Sequence, residues 1–186
     1  MMGALRSRAV WLAVIAAVII ADQLTKLAVL STPAFNALPC LDITVACGQI
    51  EISSVFDLTM LWNRGISFGT LQSDGPMRWV LVLATSGIAV AFFYWLLKAE
   101  RWLTALSLAL VIGGAVGNLV DRIRFGAVVD FLDFSGPWFG AHIANWPLGF
   151  PWVFNIADAA ITVGAVLLFL DQFLMSRSRP GDETTA

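Results

Sequence analysis

The chain has 186 residues, 59% of them hydrophobic and only 13% charged, with a formal net charge of −2. An ordinary soluble domain is about 45–50% apolar and about 25% charged. A disordered chain, a nucleic-acid binder and a typical cytosolic enzyme are therefore excluded, and a mean hydropathy of +0.81 points to an integral membrane protein. The length suits one domain, and the single histidine argues against a histidine-rich metal site.

Four apolar segments follow in chain order: 9–30, broken by Asp22 and Lys26; 79–97; 102–120; and 152–170, interrupted by Asp158. The last three have about 19 residues each, roughly 28 Å of helix, enough to cross a hydrocarbon core of about 30 Å. They are apolar all round, whereas a soluble four-helix bundle needs polar stripes at helical spacing. The expected fold is thus a membrane all-α domain of four transmembrane helices over residues 1–175. Residues 176–186 read as a disordered cytoplasmic tail.

Orientation is read from Lys and Arg. Arg6 and Arg8 precede the first span, Lys98 and Arg101 fill the second-to-third connection, and Arg177 and Arg179 follow the fourth. These short segments share one side, so both termini are expected in the cytoplasm. The long loops 31–78 and 121–151 then face outward. The N-terminal segment resembles a signal peptide, but Asp22-Gln-Leu-Thr-Lys26 is not a small-residue cleavage site, so it reads as a retained span.

In the first outer loop, Phe56, Leu58, Met60 and Trp62 alternate with Asp57, Thr59, Leu61 and Asn63, a strand-like period of two. Asn63-Arg64-Gly65 reads as a turn and Ile66–Leu71 as a return strand, giving a small extracytoplasmic β element. Cys40 and Cys47 lie in the same loop; their spacing permits a disulfide without requiring one. Trp138, Trp146, Trp152, Phe139 and Phe150 read as an interfacial aromatic belt.

Ionisable groups inside spans are costly and usually functional or paired. Asp22 and Lys26, four residues apart, share a helix face and read first as a structural ion pair. Asn118 and Asp121 are three apart at the outer end of the third span, and Asn155 and Asp158 repeat that spacing at the outer start of the fourth. Gly113, Gly114 and Gly117 read as close-packing positions. Two carboxyls in a dry site cannot both ionise cheaply, so one becomes an acid and the other a base, a pair able to activate water. Asp158 needs such a partner. Asp130, among apolar Val128, Val129 and Phe131, is the first choice and Asp121 the second. If Arg122 or Arg124 pairs with it, Asp121 stays ionised, which suits a structural bridge better than a shared proton; Asp133 reads as an exposed loop carboxylate. Ser67 and Ser73 lack a convincing base, since the one imidazole, His142, sits in a Pro/Trp/Gly-rich loop.

The ordered blocks Asp22-Gln-Leu-Thr-Lys26, Asn63-Arg-Gly-Ile-Ser-Phe-Gly69, Gly113-Gly-Ala-Val-Gly-Asn-Leu-Val-Asp-Arg122, Gly126-Ala-Val-Val-Asp-Phe131 and Phe154-Asn-Ile-Ala-Asp158 resemble those of the lipoprotein signal peptidases (signal peptidase II). The resemblance implies a bacterial inner-membrane aspartic endopeptidase with its active site near the periplasmic face. It would remove the signal peptide from prolipoproteins just before a diacylglyceryl-modified cysteine, and it would be a target of globomycin. It implies Asp130 and Asp158 as the catalytic pair. Asn63, Gly65, Asn118, Arg122 and Asn155 become substrate contacts, and Asp22, Lys26 and Asp121 structural polar residues. It implies no metal or cofactor. Expected partners are the lipidated prolipoprotein and membrane lipid, with no nucleic acid and a monomeric enzyme. The segment between Asp130 and Asp158 is longer than the family's usual form. A proton-coupled transporter using the intramembrane carboxylates is the alternative function, and a non-enzymatic assembly or anchor protein a third.

Overall fold

A computed structural model describes residues 2–36, 48–66, 71–72, 76–137, 142–143 and 146–177. Cys40, Cys47, Ser67, Ser73, Trp138 and Phe139 lie outside these residues. Four long helices dominate: α1 (Met2–Leu30), α3 (Pro76–Lys98), α4 (Trp102–Phe125) and α5 (Ile156–Arg177), with a short α2 (Pro33–Asn36) after the first. Each long helix contains a stretch of 21 to 24 residues apolar enough to cross a membrane. Helix α4 is the centre: 67% of its spanning stretch is buried inside the protein, against 17%, 17% and 11% for α1, α3 and α5. The other three present Leu24, Leu83, Val90 and Phe169 outward, as suits helices solvated by lipid.

Small residues on α4 let its neighbours approach. A Cβ added at Gly113 would lie 2.8 Å from Val18 of α1, and one at Gly114 would run into the Ala157 carbonyl of α5. Gly164 of α5 meets the Ser107 carbonyl of α4 in the same way, 2.7 Å from an added Cβ. Ile15, Leu96, Ala105, Leu108, Ala109 and Ile112 form the apolar core between α1, α3 and α4. At the end of the bundle nearest the α3–α4 turn, Arg101 pairs with Asp171 of α5 at 2.7 Å, and the Thr104 hydroxyl donates to the same carboxylate.

The opposite end carries a four-stranded antiparallel sheet in the order β1-β2-β5-β8: β1 (Gln49–Glu51), β2 (Asp57–Asn63), β5 (Val128–Phe134) and β8 (Phe150–Phe154). Gly126, at φ +80°, ends α4 in a left-handed cap whose N–H donates to the Arg122 carbonyl at 3.1 Å. The β-branched pair Val128-Val129 then starts β5 at once. Val129 and Phe131 pack with Met60, Val29 and Phe35, so the sheet rests on the end of α1 and on α2.

Several expected boundaries shift. Helix α4 runs to Phe125 instead of stopping near 120, and Trp152–Phe154 is strand, so the fourth helix starts at Ile156 rather than at 152. Helix α5 also continues to Arg177, past the expected start of the tail at 176. The return strand expected after Asn63 does not fold back onto β2. Gly65–Ile66 (β3) pairs with Leu71–Gln72 (β4), while β2 takes β1 and β5 as partners. The reason is burial: Val128, Val129 and Phe131 are 0–3% exposed and need a covering strand, which the alternating β2 supplies. The long segment after β5 leaves at Phe134 and returns as β8, paired Leu132 to Phe154 and Phe134 to Phe150. It includes a minimal ribbon of β6 (His142–Ile143) and β7 (Trp146–Pro147), where His142 is placed. The excursion therefore brings the chain back beside its point of departure, and Asn155 and Asp158 follow directly.

Candidate active site

Asp130 and Asp158 meet where the sheet joins the bundle. Asp130 is the third residue of β5 and is 1% exposed. Asp158 lies in the first turn of α5, closer to the helix end than a span starting at 152 would place it. Asn155 joins the two. Its side-chain NH2 donates to Asp130 Oδ1 at 2.7 Å, and its Oδ1 accepts the Asp158 N–H at 2.9 Å. Asp158 Oδ2 accepts the Asn155 N–H in return at 3.4 Å. This is a capping box: a polar cap residue and an acid three positions later satisfy each other's backbone N–H groups. The Asn155-x-x-Asp158 spacing carries that signature in the sequence.

Two further amides complete the surroundings of the carboxyls. Asn118 Nδ2 donates to Asp158 Oδ1 at 2.7 Å, and Asn63 Nδ2 donates to Asp130 Oδ2 at 3.1 Å. Asn63 also accepts the Gly65 N–H on its Oδ1 at 3.2 Å, so the local turn fixes which end of the amide faces Asp130. Burial, and after it the charge of Asp158, push the Asp130 carboxyl up to about 7; the Asn63 and Asn155 hydrogen bonds and the more distant Lys26 pull the other way.

Beneath the pair lies a second polar layer. Lys26 Nζ contacts Asp22 at 2.8 Å, Asp121 at 2.7 Å and Asn118 Oδ1 at 3.2 Å, matching the three donors of an ammonium. Asp22 and Asp121 are 0% and 1% exposed. Asp121 also accepts the Val129 N–H at 3.2 Å, tying α4 to the strand that carries Asp130. Asp22 accepts the Ala157 N–H at 3.0 Å, placing an anion at the positive end of α5. Asp121 thus pairs with Lys26 and not with Arg122 or Arg124. Those arginines follow it on the helix, whereas Lys26 comes from α1 into the dry interior. Gln23 is a residue the sequence reading passed over: its Nε2 donates to Asp121 at 2.9 Å and to the Gly117 carbonyl at 3.2 Å. It sits inside the Asp22–Lys26 block, but an uncharged amide gave no insertion-cost signal. Asp133 is a correction of another kind. It is buried at 7% exposure, and accepts the Thr59 hydroxyl at 2.7 Å and the Ser135 N–H at 2.9 Å. Burial opposes its ionisation, but those hydrogen bonds outweigh it and hold its carboxyl below the usual range.

Arg122, half-buried in the last turn of α4, acts electrostatically on Asp158, Asp130 and Asp121. Its guanidinium makes no hydrogen bond or ion pair among the described residues. The remaining predicted positions Asn63, Gly65, Asn118 and Asn155 all fall around the two carboxyls.

Comparison with known proteins decides the family. The family described as "Signal peptidase (SPase) II" matches residues 14–174. The lipoprotein signal peptidase of Burkholderia thailandensis is 41% identical over 165 residues, covering 87% of this chain and 86% of that protein. Its counterpart in Burkholderia mallei is 42% identical over the same shares. This chain belongs to the signal peptidase II family. It is accordingly an aspartic endopeptidase that removes signal peptides from prolipoproteins, and a multi-pass membrane protein of bacteria. A solved bacterial membrane enzyme, determined by the in meso method at 2.3 Å, superposes with a TM-score of 0.68 over 96% of this chain and 95% of its own, at 24% identity. That likeness supports the fold: four long helices capped at one end by the sheet.

Proposed function

We propose that Asp130 and Asp158 are the catalytic pair of this peptidase, and that the substrate is a prolipoprotein cut just before a diacylglyceryl-modified cysteine. The observation that carries the assignment is Asn155, whose one side chain binds both carboxyl-bearing residues. Asp130, raised to about 7, holds the shared proton near neutral pH and Asp158 acts as the base. A water between them loses a proton to Asp158 as its oxygen bonds to the scissile carbonyl carbon. Asp130 gives its proton to the carbonyl oxygen, producing a neutral gem-diol. Asp158 then protonates the leaving nitrogen, the C–N bond breaks, and the hydroxyl returns its proton to Asp130 as the new carboxyl forms. Asn118 and Asn155 hold the two acids in place, and Arg122 and Asn63 offer donors to peptide carbonyls.

The signal helix enters from the bilayer beside the spans, leaving the acyl chains in lipid. The distribution of Lys and Arg supports both termini in the cytoplasm, an inner-membrane setting and a site at the periplasmic surface. The enzyme acts as a monomer, since all the groups of this mechanism come from one chain.

The test is cleavage of a diacylglyceryl-modified prolipoprotein in detergent by folded wild type, Asp130→Asn, Asp158→Asn and Asp121→Asn. Loss of turnover by at least about a hundredfold in the first two, with residual turnover in the third, is expected. Normal cutting by Asp130→Asn with a dead Asp121→Asn would overturn the pairing.

A further inference from the structure

The face of the sheet that carries Asp130 does not end at the carboxyl. Along β5, positions 130, 132 and 134 share one face, and directly paired residues of neighbouring antiparallel strands share it too. The pairings of Leu132 with Phe154 and Phe134 with Phe150 therefore place β8 aromatics beside this row. The rings form a continuous ladder. Phe56 lies 4.7 Å from Phe134, Phe134 5.8 Å from Phe154, Phe154 5.5 Å from Phe150, and Phe150 5.3 Å from Trp152. Exposure rises outward, from 1% at Asp130 to 39% at Phe150 and 62% at Trp152. The inner rings are packed against one another, so the ladder is a fixed shelf rather than a set of separate side chains reaching into lipid.

Resting on the proposed dyad, we infer that this shelf holds the extended chain on the C-terminal side of the scissile bond, favouring apolar side chains two to four residues beyond the cut. The occupant follows from the geometry of the reaction. A signal helix is apolar and lies along the spans, so the chain after the cut must leave over the end of the bundle that carries the sheet. From Asp130 to Phe134 is four strand residues, about 13 Å at about 3.3 Å each. An extended substrate covers that length with about four residues, so its side chains beyond the cut fall on Phe154, Phe134, Phe150 and Trp152.

The experiment uses the full-length enzyme in detergent and lipidated prolipoproteins identical except for Leu or Gly at the third and fourth positions after the cut. Wild type is expected to favour Leu by about tenfold in kcat/KM, the lower range for apolar discrimination. The Phe150→Ser/Trp152→Ser double variant is expected to lose that preference, its kcat/KM on the Leu substrate falling to its own value on the Gly substrate. Both side chains are exposed, so folding should survive, and thermal melting checks it. A preference that persists in the variant, or an equal loss on both substrates, overturns the inference. Wild type that cuts both substrates alike removes this inference alone. Wild type that cuts neither removes the peptidase reading as well.

Discussion

Asn155 places its side-chain nitrogen 2.7 Å from Asp130 Oδ1, reaching across from the residue before α5 to the middle of a strand 25 residues earlier. The same side chain caps the helix whose first turn carries Asp158. One residue thus sets the relation between a sheet carboxyl and a helix carboxyl. Replacing it with Ala removes the cap and leaves Asp130 short of a donor in a buried setting. We expect Asn155→Ala to lower kcat by about a hundredfold or more and stability by about 1–3 kcal/mol. Turnover at saturating substrate, read beside a thermal melt, separates the two effects.

The raised Asp130 carboxyl predicts two pH dependences of known sign. Its value is near 3.8 when unfolded and about 7 in the fold, so between these limits the folded state holds the extra proton. Stability on this account is greatest below about 4, falls as pH rises towards 7 and is level above it. Asp130→Asn should therefore melt higher than wild type at pH 8, with the difference vanishing towards pH 4. Activity should decline about tenfold per pH unit once the dyad loses its shared proton above about 7. Melting curves and kcat against pH in the same detergent check both; a wild type whose kcat keeps rising through pH 9 would contradict the acid role of Asp130.

The legible parts of this fold were those where the bilayer sets the rules. Hydrocarbon demands long uncharged helices, so 79–97 and 102–120 stood out as spans, and each carboxylate inside one was conspicuous. Asp130 was legible because Val128, Val129 and Phe131 surround it with apolar side chains. The sheet was only half legible. The alternation from Phe56 to Asn63 identified β2, but β5, the partner that carries Asp130, comes from more than 60 residues away, and local turn residues suggested a hairpin instead. Register between distant strands is a property of the assembled core and leaves no local trace. Trp152–Phe154 read as helix for a related reason: an apolar run carries no mark of whether lipid or a neighbouring strand covers it. Lys26 as the partner of Asp121 was hidden in the same way, since Arg122 and Arg124 were nearer in sequence and only folding decides which cation shares the dry layer.

That dry layer gives a third prediction. Lys26 is the cation between Asp22 and Asp121, each buried to 0–1% exposure. Lys26→Met leaves two carboxylates without their counter-ion, a change that typically costs about 3–5 kcal/mol when a buried pair is broken. It also removes one of the two donors to Asn118 Oδ1, leaving the Asn155 amide at 3.1 Å to keep the Asn118 NH2 turned towards Asp158. Asp121→Asn is milder, because Lys26 keeps Asp22 and Gln23 can still bond the amide. Comparing thermal stability and yield of folded protein for the two variants tests this order. Equal stability of Lys26→Met and wild type would show that the layer is not held by the ammonium.

The glycines of α4 give the last prediction, with an internal control. A Cβ at Gly114 would press into the Ala157 carbonyl and lie 2.8 Å from Ile161 Cγ1. The obstacle includes backbone of the first turn of α5, so it cannot swing aside as a flexible side chain would. Gly114→Ala must push α5 away from α4, and Asp158 travels with that turn. We expect a loss of about 1–3 kcal/mol from overpacking, accompanied by a fall in kcat as the carboxyls separate. Gly87, in the middle of α3, has nothing within 4 Å of an added Cβ. The same change there should be neutral, or stabilise by up to about 1 kcal/mol through better helix propensity. Melting temperature and kcat of the two alanine variants, measured side by side, decide whether the close approach of α4 and α5 sets the position of Asp158. An active, fully stable Gly114→Ala enzyme would show that it does not.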